Sequence, residues 1–417
     1  MKRAIILVLD ALGIGAMQDV PRTRPRDAGA NTLLHLLEWA ERNLDKPLSL
    51  PNLARLGLGK VLEHPALPKD ADGTATVVGS AALGYPGADS YIAHQTMMGS
   101  DMTSIGLEPF SELEQSVAES LAAAGHEVRR ALPDLPVLLV DGCMVVGDNL
   151  EADPGLNYNV TGSLDLTTFD HILSVARIVR RRTPVSRVIA VGGVGLDASG
   201  LVSKLREGEG DVYGIDTPAT GFYKREGLRV LHMGADLDRA RQLPTLTARA
   251  GLPVTLVGKM ADVIDCPEAE SLPCVPTQEV LTTTLEAIRE KPEGLIGVNV
   301  QEIDLAGHQQ DPARCAHILS LADRGVGRIV DVLAPDDLLI GLGDHGNDPT
   351  IGHPFHTREY VPILAFSPSV EGARQLQGRR ATLGDVGATA AVALDLPVDR
   401  LEVGVPILEA VHDPVAD

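Results

Sequence analysis

The chain has 417 residues, enough for two or three domains. Its 57 acidic and 36 basic side chains leave a net charge of −21, which repels phosphate backbones and anionic lipid and argues against nucleic acid and membrane surfaces as partners. Hydrophobic residues make up 44%, enough for a core and too many for disorder throughout, while 3% aromatics cannot build a base-stacking platform or a carbohydrate-binding aromatic strip.

At the N-terminus a basic start precedes the apolar run 4–9, an arrangement that imitates a signal peptide. The run is too short for an apolar signal segment of about 7–15 residues, and Asp10 ends it, so it reads as a buried parallel strand. No stretch reaches the roughly 18 apolar residues of a membrane span, and a cytoplasmic protein is expected. Further along, short apolar runs at 137–140, 187–191, 254–257, 295–300, 338–342 and 361–365 predict strands. Helical patterns fall at 111–124, 169–181, 278–291, 312–333 and 383–393. This alternation predicts an α/β fold with a largely parallel sheet. The Gly-, Asp-, Asn- and Pro-rich stretches 60–90 and 142–168 read as long loops, which in compact proteins are usually functional. The four cysteines, Cys143, Cys266, Cys274 and Cys315, include no CxxC pair, which predicts neither a zinc finger nor a disulfide framework and fits a reducing compartment.

Chemistry concentrates where predicted strands end, the position of working residues in parallel α/β proteins. Asp10 closes the first strand; taken alone it fits an Asx turn or helix cap as well as a functional role. Asp304 and His308 follow the strand at 295–300, four residues apart, a spacing that suits one helical face or a tight loop. Asp344 and His345 follow the strand at 338–342, and His356 comes eleven residues after His345. Together these three carboxylates and three imidazoles form the mixed oxygen and nitrogen set that suits two divalent ions. Such ions offset phosphate charge and stabilise attacking and leaving oxygens. Ser90, in a loop before a predicted helix, is the candidate nucleophile, with an ordinary N-cap serine as the alternative. Lys259, after the strand at 254–257, fits a substrate phosphate contact and a surface lysine equally. Arg22, Arg24 and Arg26 either hold an anion or solvate a loop. The GxGxxA-like run from Val191 reads as a strand and turn rather than a dinucleotide site, because a poor helix follows it.

These segments together resemble the alkaline phosphatase superfamily, most closely its phosphopentomutase branch. The resemblance rests on the opening through Ala16, on the stretch from Asp27 to Thr32, on Gly258-Lys259-Met260, and above all on Asp344-His345-Gly346, Asp348-Pro349-Thr350 and His356-Thr357-Arg358-Glu359. It covers nearly the whole core and weakens from about 101 to 234. It implies an alkaline-phosphatase-like core over 1–100 and 235–417, with a mostly parallel sheet flanked by helices. An inserted α+β cap over 101–234 would cover the site. Two divalent ions are implied, Mn2+ with Mg2+ or Zn2+ as alternatives. One would be held by Asp304, His308 and His356, the other by Asp10, Asp344 and His345 with Ser90. Ser90 would carry the phosphoryl group of a (deoxy)ribose phosphate or similar sugar phosphate, and His94, Lys259, Lys224 and Arg225 are the candidates for holding that substrate. Serine at the nucleophile position and the Asp304–His308 spacing match the related phosphoglycerate mutases. The cap's usual sugar-holding stretch is not evident, and 157–163 is the candidate for its place. The rivals are a metal-dependent phosphatase or phosphonate hydrolase on the same core, a phosphoglycerate-mutase-like enzyme, and a catalytically inactive metal-binding protein.

Overall fold

The structure is a computed structural model that describes residues 3–69, 77–370, 374–376 and 378–407. Met1 and Lys2 of the opening motif and residues 70–76 of the expected 60–90 loop lie outside them. The chain divides into two compact units, one of Met1–Thr103 with Leu237–Asp417, the other Ser104–Asp236. In chain order the strands are β1 (Arg3–Leu9), β2 (Val77–Ala81), β3 (Val128–Leu132), β4 (Leu135–Val140), β5 (Met144–Asp148), β6 (Asn157–Ser163), β7 (Arg187–Gly193) and β8 (Leu205–Glu207). They continue as β9 (Tyr213–Ile215), β10 (Arg229–Gly234), β11 (Val254–Gly258), β12 (Glu270–Leu272), β13 (Gly294–Val300), β14 (Leu338–Leu342), β15 (Val361–Phe366) and β16 (Arg374–Gln375).

The first unit holds an eight-stranded sheet in the order β12-β11-β13-β1-β14-β15-β2-β16. The strands from β12 to β14 are parallel, and β15 runs antiparallel to both its neighbours. β1, β13 and β14 are buried at every residue, as continuous apolar runs in a two-sided sheet require. The helix Thr32–Asn43 starts where the Asn31 side chain accepts the Leu34 N–H, and its stripe Leu33, Leu36, Leu37 and Ala40 joins the core. The helix Pro312–Val330 is capped by Asp311, has proline in its first turn, and buries Cys315, Ile318, Leu319, Ala322, Val326 and Ile329. These layers fix the strand ends on which the site is built. Among the described residues no helix is long and apolar enough to cross a membrane.

The second unit is α+β, with a six-stranded sheet ordered β10-β7-β6-β5-β4-β3 and only β6 and β7 parallel. The helices Phe110–Ala123 and Phe169–Arg182 pack on one face through Phe110, Val117, Leu121, Ile172, Val175 and Val179. The expectation of a long loop over 142–168 fails here, since the segment contains β5 and β6, both wholly buried. The polar composition that suggested a loop has a packing cause. A Cβ on Gly162 would meet Ile172 Cδ1 at 2.6 Å, so glycine lets the helix approach the strand. The 60–90 stretch likewise contains β2.

Candidate metal centre

β13, β1 and β14 are adjacent and parallel, so their carboxyl ends open at one edge of the sheet. Asp10 follows β1, Asp344 follows β14 with one residue between, and Asp304 lies in the helix Glu302–His308 that follows β13. Three carboxylates distant in sequence are thereby collected, as expected of parallel α/β folds. The chain turns sharply after Asp10: Ala11 has φ +63, uncommon for a residue with a side chain, and its N–H donates to Asp344 Oδ1 at 2.9 Å. All three carboxylates are buried.

Two triads result. In one, His308 Nε2 and His356 Nε2 lie 3.4 and 3.3 Å from the same oxygen, Asp304 Oδ1, and 3.1 Å from each other. In the other, His345 Nε2 is 3.3 Å from Asp344 Oδ2 and 3.7 Å from Asp10 Oδ1. Within each triad the donor atoms all lie within 4.8 Å of one another. The His345 and His356 rings stack with centroids 4.0 Å apart, which places the triads side by side.

The imidazoles are held in one tautomer. His308 Nδ1 is 2.6 Å from Pro354 O, His345 Nδ1 is 3.0 Å from Gly346 O, and His356 Nδ1 is 3.1 Å from Ala88 O. A carbonyl oxygen only accepts, so each Nδ1 carries a proton and each ring turns its Nε2 edge toward carboxylate. An Nε2 facing carboxylate is favourable only with positive charge, a proton or a cation, between them. Although burial opposes it, Asp304 raises His308 to about 9, which shows the pull for such charge. Burial first, then Asp344, raises Asp10. Outer hydrogen bonds of this kind, with imidazoles around buried carboxylates, are what divalent-cation ligands have, and both triads fit that group.

Ser90 sits between the triads. It is the first residue of the helix Ser90–Met97, whose cap is Asp89, accepting the Ile92 N–H at 2.9 Å. The N-cap alternative for Ser90 is therefore corrected: the preceding carboxylate takes that role and frees the hydroxyl. Ser90 Oγ lies 3.3 Å from Asp10 Oδ1, 3.0 Å from Asp344 Oδ2 and 2.8 Å from His345 Nε2. Lys259 is no surface lysine. Its Nζ donates to Ser90 Oγ at 2.7 Å and Asp10 Oδ2 at 2.8 Å, and lies 3.3 Å from Asp304 Oδ2. Burial lowers its pKa, but Asp10, Asp304 and Asp344 together raise it, so the ammonium is retained. It reaches this place because Gly258 takes φ +66 at the end of β11, where a Cβ would meet Asn299 O at 2.4 Å.

His94, expected at the substrate, has both ring nitrogens engaged inside the protein, Nδ1 with Ser90 O at 2.7 Å and Nε2 with Asn299 Nδ2 at 2.9 Å. Burial lowers its pKa and keeps it neutral. The geometry makes it a support for the first turn of the Ser90 helix. Arg24 does not solvate its loop: it is buried, pairs with Asp27 at 2.5 Å and donates to His356 O at 2.6 Å. Lys224 and Arg225 belong to the second unit, where Arg225 Nη1 donates to Val194 O at 2.7 Å. Nearby in sequence, Tyr223 lines a pocket of about 420 Å3 together with Asn149, Asn157, Asn159, Arg187 and His232. Asn157 Oδ1 and Asn159 Oδ1 are buried there without a protein hydrogen-bond partner. Sequence reasoning missed Asn347, whose Nδ2 donates to Asp304 Oδ1 at 2.9 Å and orients that carboxylate. Its only signal was its place two residues after His345. The other resembling segments prove to be supports: Glu359 accepts from Thr32 N at 2.9 Å and Thr357 Oγ1 at 2.6 Å, and Asp348 meets His35 Nδ1 at 2.5 Å.

A fold that gathers carboxylates and imidazoles at the ends of three parallel strands belongs to a recognisable class of metalloproteins. The metalloenzyme superfamily model matches residues 2–398, and the chain belongs to that superfamily, the one of the alkaline phosphatases. More particularly, the chain is 32% identical to the phosphopentomutase of Methylobacterium radiotolerans over 98% of this chain and all of that one. Among solved structures it overlaps the Leishmania mexicana phosphoglycerate mutase, with 12% identity, a TM-score of 0.42 and coverage of 94% of this chain and 95% of that one. The alkaline phosphatase of the Antarctic bacterium TAB5 gives 11% identity, a TM-score of 0.35 and coverage of 94% and 98%.

Proposed function

We propose that the protein is a metal-dependent phosphomutase of the phosphopentomutase kind, acting in the cytoplasm on a (deoxy)ribose phosphate or a similar sugar phosphate. The observation that carries this reading is the position of Ser90 Oγ, within 3.3 Å of Asp10, Asp344, His345 and Lys259 at once. Its support is the 32% identity to a phosphopentomutase along nearly the whole chain. Asp304, His308 and His356 would hold one divalent ion, and Asp10, Asp344 and His345 with Ser90 the other, Mn2+ before Mg2+ or Zn2+. Such a pair, when bound, supplies charge neutralisation for the phosphate and a lowered pKa for the attacking hydroxyl.

The protein's own groups do the rest. Ser90 Oγ lies on the first turn of a helix, whose N-terminal dipole favours an incoming phosphate. In the first half-reaction the bond from Ser90 Oγ to phosphorus breaks as a sugar hydroxyl oxygen bonds to phosphorus, and the hydroxyl's proton ends on Ser90 Oγ. In the second, the Oγ–phosphorus bond re-forms as phosphorus parts from a different oxygen of the same sugar, which takes the Ser90 proton. Lys259 offsets charge on the phosphate oxygens during both steps. Asp10 and Asp344 accept from the Ser90 hydroxyl and orient it when it carries no phosphoryl group. We assign sugar recognition to the unit Ser104–Asp236, whose unpartnered Asn157 and Asn159 oxygens suit sugar hydroxyls.

The test is conversion of ribose 1-phosphate to ribose 5-phosphate by the manganese-loaded protein, followed alongside free phosphate. Interconversion without phosphate release supports the mutase. Phosphate release alone would assign a phosphatase. Asp344→Asn should cost one metal ion per chain by elemental analysis, and a variant that keeps its full complement would refute the ligand set.

A further inference from the structure

Among the described residues, a third group of side chains has the composition of a metal site, and it lies wholly within the unit Ser104–Asp236. His126 comes from the turn between the helix Phe110–Ala123 and β3, Asp141 from the β4–β5 hairpin, and His171 from the first turn of the helix Phe169–Arg182. Asp141 Oδ2 lies 2.7 Å from His126 Nδ1 and 2.9 Å from His171 Nε2. The two rings lie nearly parallel, at 21°, with centroids 5.7 Å apart. The three donor atoms all fall within 4.8 Å of one another.

Several features mark this as a built arrangement rather than a chance surface contact. Asp141 holds φ +51, a conformation uncommon for a residue with a side chain. Its Oδ1 accepts the Glu127 N–H at 2.8 Å, so the carboxylate is anchored by one oxygen and presents the other to both imidazoles. His171 Nδ1 is 2.8 Å from Thr167 Oγ1, the outer partner that fixes a ligating ring. The side chains of His126, Asp141 and His171 are 14%, 22% and 36% exposed, sheltered but reachable from water. An ion pair needs one imidazole. Two imidazoles from separate elements converging on one carboxylate oxygen suit a cation shared by all three.

We propose that His126, Asp141 and His171 bind a divalent transition-metal ion of the zinc class, with water in the fourth position. Two nitrogens and one carboxylate oxygen suit Zn2+ better than Mn2+ or Mg2+, which favour oxygen-rich sets. Bonds of about 2.0–2.1 Å around a tetrahedral ion put ligand atoms about 3.3 Å apart, so the present contacts need open by only about half an ångström. The ion would fasten the hairpin to the two helices that cover the sheet. The site is independent of Ser90 and of both triads, so its failure would leave the proposed function untouched.

The experiment uses the full chain and Zn2+ as the probe. Bound zinc is counted by elemental analysis after desalting for the wild type, His126→Gln/His171→Gln, and Asp304→Asn. The double variant should hold one zinc fewer than the wild type, and Asp304→Asn should keep that particular ion. Hydrogen exchange gives a second readout. Zinc should protect the backbone of residues 135–148 in the wild type and not in His171→Gln, a change at a partly exposed side chain that the fold should tolerate. Thr167→Val should keep the stoichiometry and weaken zinc binding about 10- to 100-fold. Equal zinc content in the wild type and the folded double variant, or zinc-dependent protection that survives His171→Gln, would overturn the proposal.

Discussion

Arg358→Met tests how the loop that leads to Ser90 is held. The Arg358 guanidinium is buried, and its Nη1 donates to Tyr85 O at 2.7 Å and to Gly87 O at 2.6 Å. Its Nε and Nη2 meet the Asp19 carboxylate at 2.9–3.0 Å. Methionine fills much of the same volume but cannot donate. Two carbonyls then lose charged partners at about 1.5–3 kcal/mol each, or about 3–6 kcal/mol together. The Asp19 pair adds at most about 1 kcal/mol, because that carboxylate is a third exposed. Urea unfolding in manganese should therefore lose roughly half of a typical domain's stability of about 5–15 kcal/mol. Tyr85 and Gly87 lead directly to Asp89 and Ser90, so their release also lets Oγ drift from the carboxylates. A displacement of about 1 Å can cost about 100-fold in turnover. Phosphoryl-transfer rate and metal content, measured on the same preparation, separate positioning from ligand loss: the rate should fall while the metal content stays at the wild-type level. Unfolding within 1 kcal/mol of wild type (about fivefold in the equilibrium) would refute the reasoning.

Ser90→Ala should retain the fold and most metal affinity yet lose transfer to the uncatalysed level, and intact-mass analysis should show no phosphorylated chain; turnover that survives would remove Ser90 from its role. Asp10→Asn should raise stability in chelator, because burial and Asp344 already disfavour the charged Asp10, and should reduce the stabilisation gained from manganese. Thermal melts that shift the same way in both conditions would contradict it. In the second unit, burial raises Asp148 from 3.8 to about 6 against the opposing N–H bonds of Tyr213 and Phe110. A carboxyl whose folded pKa exceeds its unfolded value stabilises the fold at low pH, and this contribution is lost as pH rises from about 4 through about 6. It should amount to about 3 kcal/mol, seen as the difference in unfolding slope between wild type and Asp148→Asn; parallel slopes would refute it.

The parallel core was legible because β1, β13 and β14 are continuous apolar runs, and each ends at a residue whose chemistry stands out. The strands β5 and β6 were not legible. Asn157, Asn159 and Thr161 are buried in β6 by pairing on both sides, a tertiary circumstance that polar composition conceals. The clustering of the metal candidates could be inferred because strand order in parallel sheets collects strand ends. Individual roles could not. Asp89 and Ser90 are both good caps, and only the backbone decides which one caps the helix. Lys259 meets carboxylates 249 and 45 residues away, so local sequence could not separate a site lysine from a solvated one. His94 and His345 look alike in sequence. The hydrogen bond from Asn299 makes one a support, and the facing carboxylates make the other a ligand candidate.

The site is also a place where the fold acts against its own stability. Asp10, Asp304 and Asp344 are all buried within one small volume, and Lys259 offers one positive charge against three negative ones. Removing a carboxylate from water costs several kcal/mol, and well-packed apolar residues of similar size often do better. Ala11 adds a conformation that side-chain-bearing residues seldom adopt. The strand ends would form equally well with neutral residues, since β1, β13 and β14 take their stability from apolar burial. The same chain that spreads 57 acidic groups mostly over its surface thus spends three where they repel one another. Such an arrangement makes physical sense when those charges are completed by cations and the resulting local positive field is used on an anion.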